Sequence, residues 1–122
     1  MSRKIRWGVL GSNAEIAVKC VIPAIVKSKN GHIHAIASGN RKEAGMVAEK
    51  YNILNVYDQY EAVLNDSEVD AVYLPLPNHL HLPWTIKALK AGKHVLCEKP
   101  LAKNEAEARE MKHAAKVAGC YL

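Results

Sequence analysis

Short apolar runs alternate with stretches of helical period along the whole chain. Ile5 to Leu10 is an apolar run of strand length that stops at Gly11, which predicts a buried strand followed by a turn. Ala17 to Lys29 sets Ala17, Val21 and Ile25 on one helical face, and Pro23 bends this helix or restarts it. Ile33 to Ala37 reads as the second strand and Lys42 to Tyr51 as a short helix. Asp58-x-x-Glu61 has capping-box spacing and opens a helix through Leu64. Val69 to Leu74 is a strand that runs into Pro75 and Pro77. A helix over Pro83 to Ala91 stops at Gly92, and His94 to Cys97 forms another strand. Asn104-x-x-Glu107 caps a long amphipathic helix that ends near Gly119. Cys120-Tyr121-Leu122 looks like the first step of one more strand, as if the chain were cut there. Alternation of this kind predicts an α/β fold, a doubly wound parallel sheet of five or six strands in a single domain over residues 1–122.

Composition narrows the class. At 122 residues, 49% hydrophobic and 24% charged, the chain has the balance of one globular domain with its own core. No apolar run nears the ~20 residues of a membrane span, and no signal-peptide core follows the basic start, so no membrane association and a cytoplasmic location are expected. Cys20, Cys97 and Cys120 are scattered and odd in number, which fits buried free thiols in a reducing compartment. The net charge of +5 is spread thinly. With no Phe, two Trp and no recognisable binding motif, it suits a small anionic ligand better than nucleic acid.

The candidate chemistry lies where strands end. After the first strand, Gly11, Ser12, Asn13, Ala14, Glu15 and Ile16 lead into Ala17 and a helix. A pyrophosphate needs small residues at such a junction, so that backbone N–H groups and the helix start can approach it. The strict Gly-x-Gly-x-x-Gly pattern is absent. Either Ser12, Ala14 and Ala17 replace the glycines, or Gly11 begins a loop one residue longer than usual.

At the end of the second strand, the acidic residue that would grip a ribose 2′-hydroxyl is missing. Ser38, Asn40, Arg41 and Lys42 stand there, a set suited to a 2′-phosphate and hence to NADP, with NAD possible. After the next long strand come Leu74, Pro75, Leu76, Pro77 and Asn78, then His79 and His81. Two histidines without a third ligand do not make a metal site, and none is expected. Cys97-Glu98-Lys99-Pro100 closes the last strand, where a lysine can bind a substrate hydroxyl and move its proton. The Lys99–Pro100 bond is expected to be cis, aiming the lysine into the cleft.

Together these segments resemble the glucose–fructose oxidoreductase, inositol dehydrogenase and rhizopine-catabolism (Gfo/Idh/MocA) family over essentially the whole chain. The resemblance is carried by Arg6-Trp7-Gly8-Val9-Leu10-Gly11, Ile16-Ala17, Ile22-Pro23-Ala24, Tyr57 with Tyr60-Glu61, and Asp70-Ala71-Val72-Tyr73. Leu74-Pro75-Leu76-Pro77-Asn78-x-x-His81 and the run Gly92 to Ala102, with Glu98-Lys99-Pro100 inside it, are its most specific parts. It implies a Rossmann-type domain of a two-domain NAD(P)-dependent oxidoreductase acting on a sugar, polyol or dihydrodiol. By the same resemblance Lys99 is the catalytic or substrate-orienting lysine, and Pro77, Asn78, His81 and Glu98 line the nicotinamide-ribose end. Departures are the degenerate glycine loop and Leu76, where the family often has threonine. The family's second domain, with its Asp/His pair and usual oligomer interface, is not in this sequence. The fragment is therefore expected to bind cofactor without turnover. The alternative is a non-catalytic dinucleotide sensor or partner-binding module.

Overall fold

In the computed structural model, which describes residues 3–11 and 14–122, five parallel strands form one sheet in the order β3-β2-β1-β4-β5. The strands are β1 (Ile5–Leu10), β2 (Gly31–Ala37), β3 (Asn55–Tyr57), β4 (Ala71–Leu74) and β5 (His94–Cys97). The helices are α1 (Ile22–Lys27), α2 (Arg41–Tyr51), α3 (Tyr60–Leu64), α4 (His81–Lys90) and α5 (Glu105–Ala118). Every pairing is parallel, so all five carboxyl ends lie along one edge.

Side chains alternate across a strand, and here both faces are apolar because helices cover both. Leu10, Ala35, Ala37, Val72 and Leu74 pack beneath α3, α4 and α5 with Val63, Ala88 and Leu89. Val9, Ile33, Ile36 and Tyr73 face the other way, onto Ala17, Ile22, Ala44 and Ala48. Each buried Val, Leu or Ile among them contributes about 1.5–3 kcal/mol. Ile33 and Ala35 would share a face in a regular strand. They do not, because the β1–β2 register skips His34 between Trp7↔Ile33 and Gly8↔Ala35. This bulge reverses the parity of the strand's second half. Gly8 sits where a Cβ would collide with Val63, so α3 lies close against β1 only because position 8 carries no side chain.

Three local expectations change. The helix after β1 opens with a π-type segment at Ala17–Val21 before α1. The wider turn moves the inward face by one residue, so Ile22 and not Val21 joins Ala17 and Ile25 in the core. Pro23 falls in the first turn of α1, directly after the π-type segment. Asp58 does not cap α3. Gln59 holds that position without a side-chain bond, and the Asp58 carboxylate accepts from Arg41 instead at 2.9 Å. The cysteines are free but not buried: Cys20 is exposed, and Cys97 and Cys120 are half-buried.

The α5 cap does form, with Asn104 Oδ1 accepting from the Glu107 N–H at 2.9 Å. Gly119, at φ +68°, ends that helix. Beyond it no sixth strand is assigned, although the Tyr121 carbonyl accepts from the Val95 N–H at 2.9 Å on the open side of β5. No helix among the described residues is long and apolar enough to cross a membrane.

Candidate functional site

The strand order reverses between β1 and β4, the position at which open α/β sheets bind ligands beyond the strand carboxyl ends. Leu10, Ala37, Leu74 and Cys97 each close a strand on that edge, and the loops that follow them meet. Gly11 donates its N–H to the Ala37 carbonyl at 2.8 Å, tying the β1 loop to the end of β2. Gly11 has φ +89°, and a Cβ there would lie 2.9 Å from Leu76 Cδ2 and 3.8 Å from the Pro75 carbonyl. Absence of a side chain thus lets the β1 and β4 exits touch while the backbone turns through the left-handed region. The Ala14 N–H closes the turn onto the Gly11 carbonyl at 3.2 Å. Glu15 and Ile16 are exposed, and Glu15 pairs with Lys19 at 2.6 Å. Ser12 and Asn13 lie outside the described residues.

At the β2 exit the four polar residues divide. Ser38 is buried, and its Oγ accepts from the Asn40 N–H at 3.1 Å. The Asn40 side chain caps α2 by accepting from the Glu43 N–H at 3.1 Å. Arg41 and Lys42 are exposed at the first turn of α2, and Arg41 is shared with Asp58. Ser38 and Asn40 therefore shape the turn, while Arg41 and Lys42 supply its positive charge.

At the β4 exit Leu74, Pro75 and Leu76 are buried, so this stretch faces the cleft with backbone more than side chains. Pro77 and Asn78 are exposed, and Asn78 starts a short 3₁₀ turn through Leu80. His81 departs from the expected position. Its side chain is fully buried, with Nδ1 2.7 Å from the Pro100 carbonyl and Nε2 2.8 Å from the Leu76 carbonyl. Neither ring nitrogen is left to meet a ligand.

The β5 exit joins the same cluster through the Glu98 N–H, which donates to the Leu74 carbonyl at 3.1 Å. Lys99 is exposed at the tip, and the Lys99–Pro100 bond is cis. Glu98 is held from below. The Tyr73 hydroxyl donates to its Oε2 at 2.6 Å, and its Oε1 accepts from the Lys99 N–H at 3.2 Å. The Tyr73 bond comes first among the causes that hold the Glu98 carboxylate below its usual range. Burial, reinforced by that carboxylate, holds the Tyr73 phenol well above its own. Glu98 is thus an ionised acceptor with a fixed direction, beside Lys99. Tyr73 orients this carboxylate, a contact that the sequence reading absorbed into an apolar strand. Its signal was a hydroxyl near the end of a buried run, on the strand next to β1.

A cavity of about 720 Å³ opens at the opposite, amino end of the sheet, lined by Ile5, Trp7, Asp70, Lys93 and His94 among others. None of the residues that line it is a candidate site residue. Among the described residues no group of three His, Cys, Asp or Glu side chains could hold a metal ion.

A model of the family described as "Oxidoreductase family, NAD-binding Rossmann fold" (GFO_IDH_MocA) matches residues 5–122. The chain is 42% identical over 120 residues to a dTDP-3,4-didehydro-2,6-dideoxy-alpha-D-glucose 3-reductase from Streptomyces violaceoruber, covering 98% of this chain and 34% of the relative. It is 50% identical over 95 residues to D-xylose 1-dehydrogenase (NADP(+)) 2 of Haloferax volcanii, covering 78% and 29%. Among solved structures, a 3-ketoreductase from Actinomadura kijaniata in complex with TDP-benzene and NADP superposes with a TM-score of 0.94 at 39% identity. That match covers 98% of this chain and 37% of the ketoreductase. The chain spans about a third of the length of the relatives it matches. With the family match over nearly its whole length and the parallel sheet reversing at the loop cluster, this chain belongs to the Gfo/Idh/MocA oxidoreductase family and is its NAD-binding Rossmann domain.

Proposed function

We propose that this chain binds NADP(H) across the carboxyl edge of its sheet, as the cofactor domain of an oxidoreductase acting on a sugar, polyol or dihydrodiol. The observation that carries this reading is the convergence of Gly11, Pro77 and Lys99 at the β1/β4 reversal, with Arg41 and Lys42 on the β2 side. The residues fit the dinucleotide. The Gly11 turn leads from β1 toward a helix at the β1/β4 reversal, the place a pyrophosphate takes in such sheets, and the cations suit a 2′-phosphate, where an acidic residue would repel it. The nicotinamide, when bound, supplies the hydride acceptor or donor.

The chain's own contribution is to hold and orient. The buried backbone of Leu74 to Leu76 shapes the floor, Pro77 and Asn78 border the nicotinamide-ribose end, and Glu98 fixes the loop on which Lys99 stands. Lys99 holds the substrate oxygen and moves its proton. Because Lys99 is exposed, the domain by itself is expected to bind cofactor without turnover.

Titration of NADPH and NADH into wild type and Arg41→Ala tests the assignment. One charged hydrogen bond to the 2′-phosphate corresponds to a preference of roughly 10- to 100-fold for NADPH, reduced by exposure and by competition from Asp58. Arg41→Ala should remove most of it. Equal affinities, unchanged by the substitution, would show that Arg41 merely solvates a helix start.

A further inference from the structure

We infer that His81 is a positioning residue, a clasp that fastens the β4-exit loop to the β5-exit loop and so sets the geometry of the nicotinamide end. The need for a clasp follows from the backbone. Pro75, Pro77 and Pro100 have no N–H, so these two loops present carbonyls to one another with few main-chain donors to join them. Leu76 is buried, where a carbonyl without a donor is costly, and the exposed Pro100 turns its carbonyl toward the same ring.

His81, at the start of α4, sets one ring between the two carbonyls, with Nε2 2.8 Å from Leu76 and Nδ1 2.7 Å from Pro100, so a singly protonated ring donates to one of them and a doubly protonated ring to both. The ring is wholly shielded from water, and the Leu76 contact is buried with it, while the Pro100 contact is part-buried. One contact lies next to Pro77 and the other on the residue after Lys99, so the ring spans the two segments that flank the cleft without entering it. A second tie, from the Glu98 N–H to the Leu74 carbonyl, runs nearer the sheet. The clasp is the outer of the two, and its loss frees the loop tips while the strands stay paired.

The inference rests on the reading that the nicotinamide end lies at these loops, and its test separates the two. Hydrogen exchange is followed at the Leu80, Glu98 and Lys99 amides in wild type, His81→Phe and His81→Gln. The same proteins are titrated with NADPH and with adenosine 2′,5′-bisphosphate, which reaches only the β2 side. His81→Phe preserves bulk and removes both contacts. It should speed exchange at those three amides and weaken NADPH by about tenfold, while leaving the bisphosphate within about twofold. His81→Gln keeps a donor for one carbonyl and should fall between, which also serves if the Phe variant does not fold.

Unchanged exchange and NADPH affinity in a folded His81→Phe would overturn the clasp. So would equal weakening of both ligands with faster exchange throughout the sheet, which marks general destabilisation. If wild type binds neither ligand, the NADP(H) reading falls and exchange at the three amides still decides the clasp.

Discussion

Asp70 stands at the head of β4, at the amino end of the sheet, and two arginines hold its carboxylate. Its oxygens accept from Arg6 N at 2.8 Å, Arg6 Nε and Nη2 at 3.0 Å, and Arg3 Nη2 at 2.9 Å. Arg6 also pairs with Glu68. The Arg6 side-chain bond, against the cost of burial, holds the Asp70 carboxylate at about 2 instead of the ordinary 3.8. A pKa lowered by folding stabilises the fold at pH values above the unfolded value, and that stability is lost as pH falls through the folded one. Asp70 therefore contributes fully at neutral pH and fades between about pH 4 and pH 2. Asp70→Asn should lower stability by about 1–2 kcal/mol at neutral pH, after allowance for solvent screening, and flatten the acid limb of the stability curve. Urea titrations at pH 7 and pH 3 check this, and an equal loss at both would remove the titration argument. At this scale the sequence announced Lys99, Gly11 and Arg41 by their types and places. It could not show that the His81 ring turns inward, since a histidine after a proline-rich loop reads the same facing ligand or carbonyls.

Among the elements, α5 shows local grammar and structure in agreement. Asn104 accepts from the Glu107 N–H, and the Glu107 carboxylate accepts from the Lys103 N–H at 3.1 Å. Asn104→Ala should cost about 1 kcal/mol, read as a lower denaturation midpoint with unchanged slope. No change would mean water replaces the cap. The α3 start carries the same spacing and does not use it, because Arg41 claims Asp58 from another element. Spacing reports that a cap is possible, and tertiary charge decides whether it forms. Strand β3 escaped a residue-by-residue reading for a related reason. Asn55, Val56 and Tyr57 are all only half-buried at the sheet margin, so no apolar run marks them. The segment after the β1 loop misled in register: four-residue spacing pointed to Val21, and the π-type turn delivers Ile22.

For the molecule as a whole, ligand binding and folding are linked. A dinucleotide that binds only the folded chain should stabilise it by about 2.7 kcal/mol at a hundred times its Kd, which raises Tm by roughly 10 °C. NADPH should give this shift at lower concentration than NADH in a thermal melt, and no shift with either would count against the proposed site. The doubly wound architecture was legible throughout, because alternation of strand and helix is a long-range pattern that local errors do not erase. Its strand order has a consequence for biosynthesis. The strand made first, β1, is the central one, with β2 on one side and β4 on the other. On a ribosome the chain from Ile5 to Ala37 can pair β1 with β2, but the other flank of β1 has no partner until Ala71 to Leu74 emerge. At ~5–20 residues per second that interval lasts roughly 2–7 s, during which one edge of the sheet's central strand stands open to chaperones and neighbouring nascent chains.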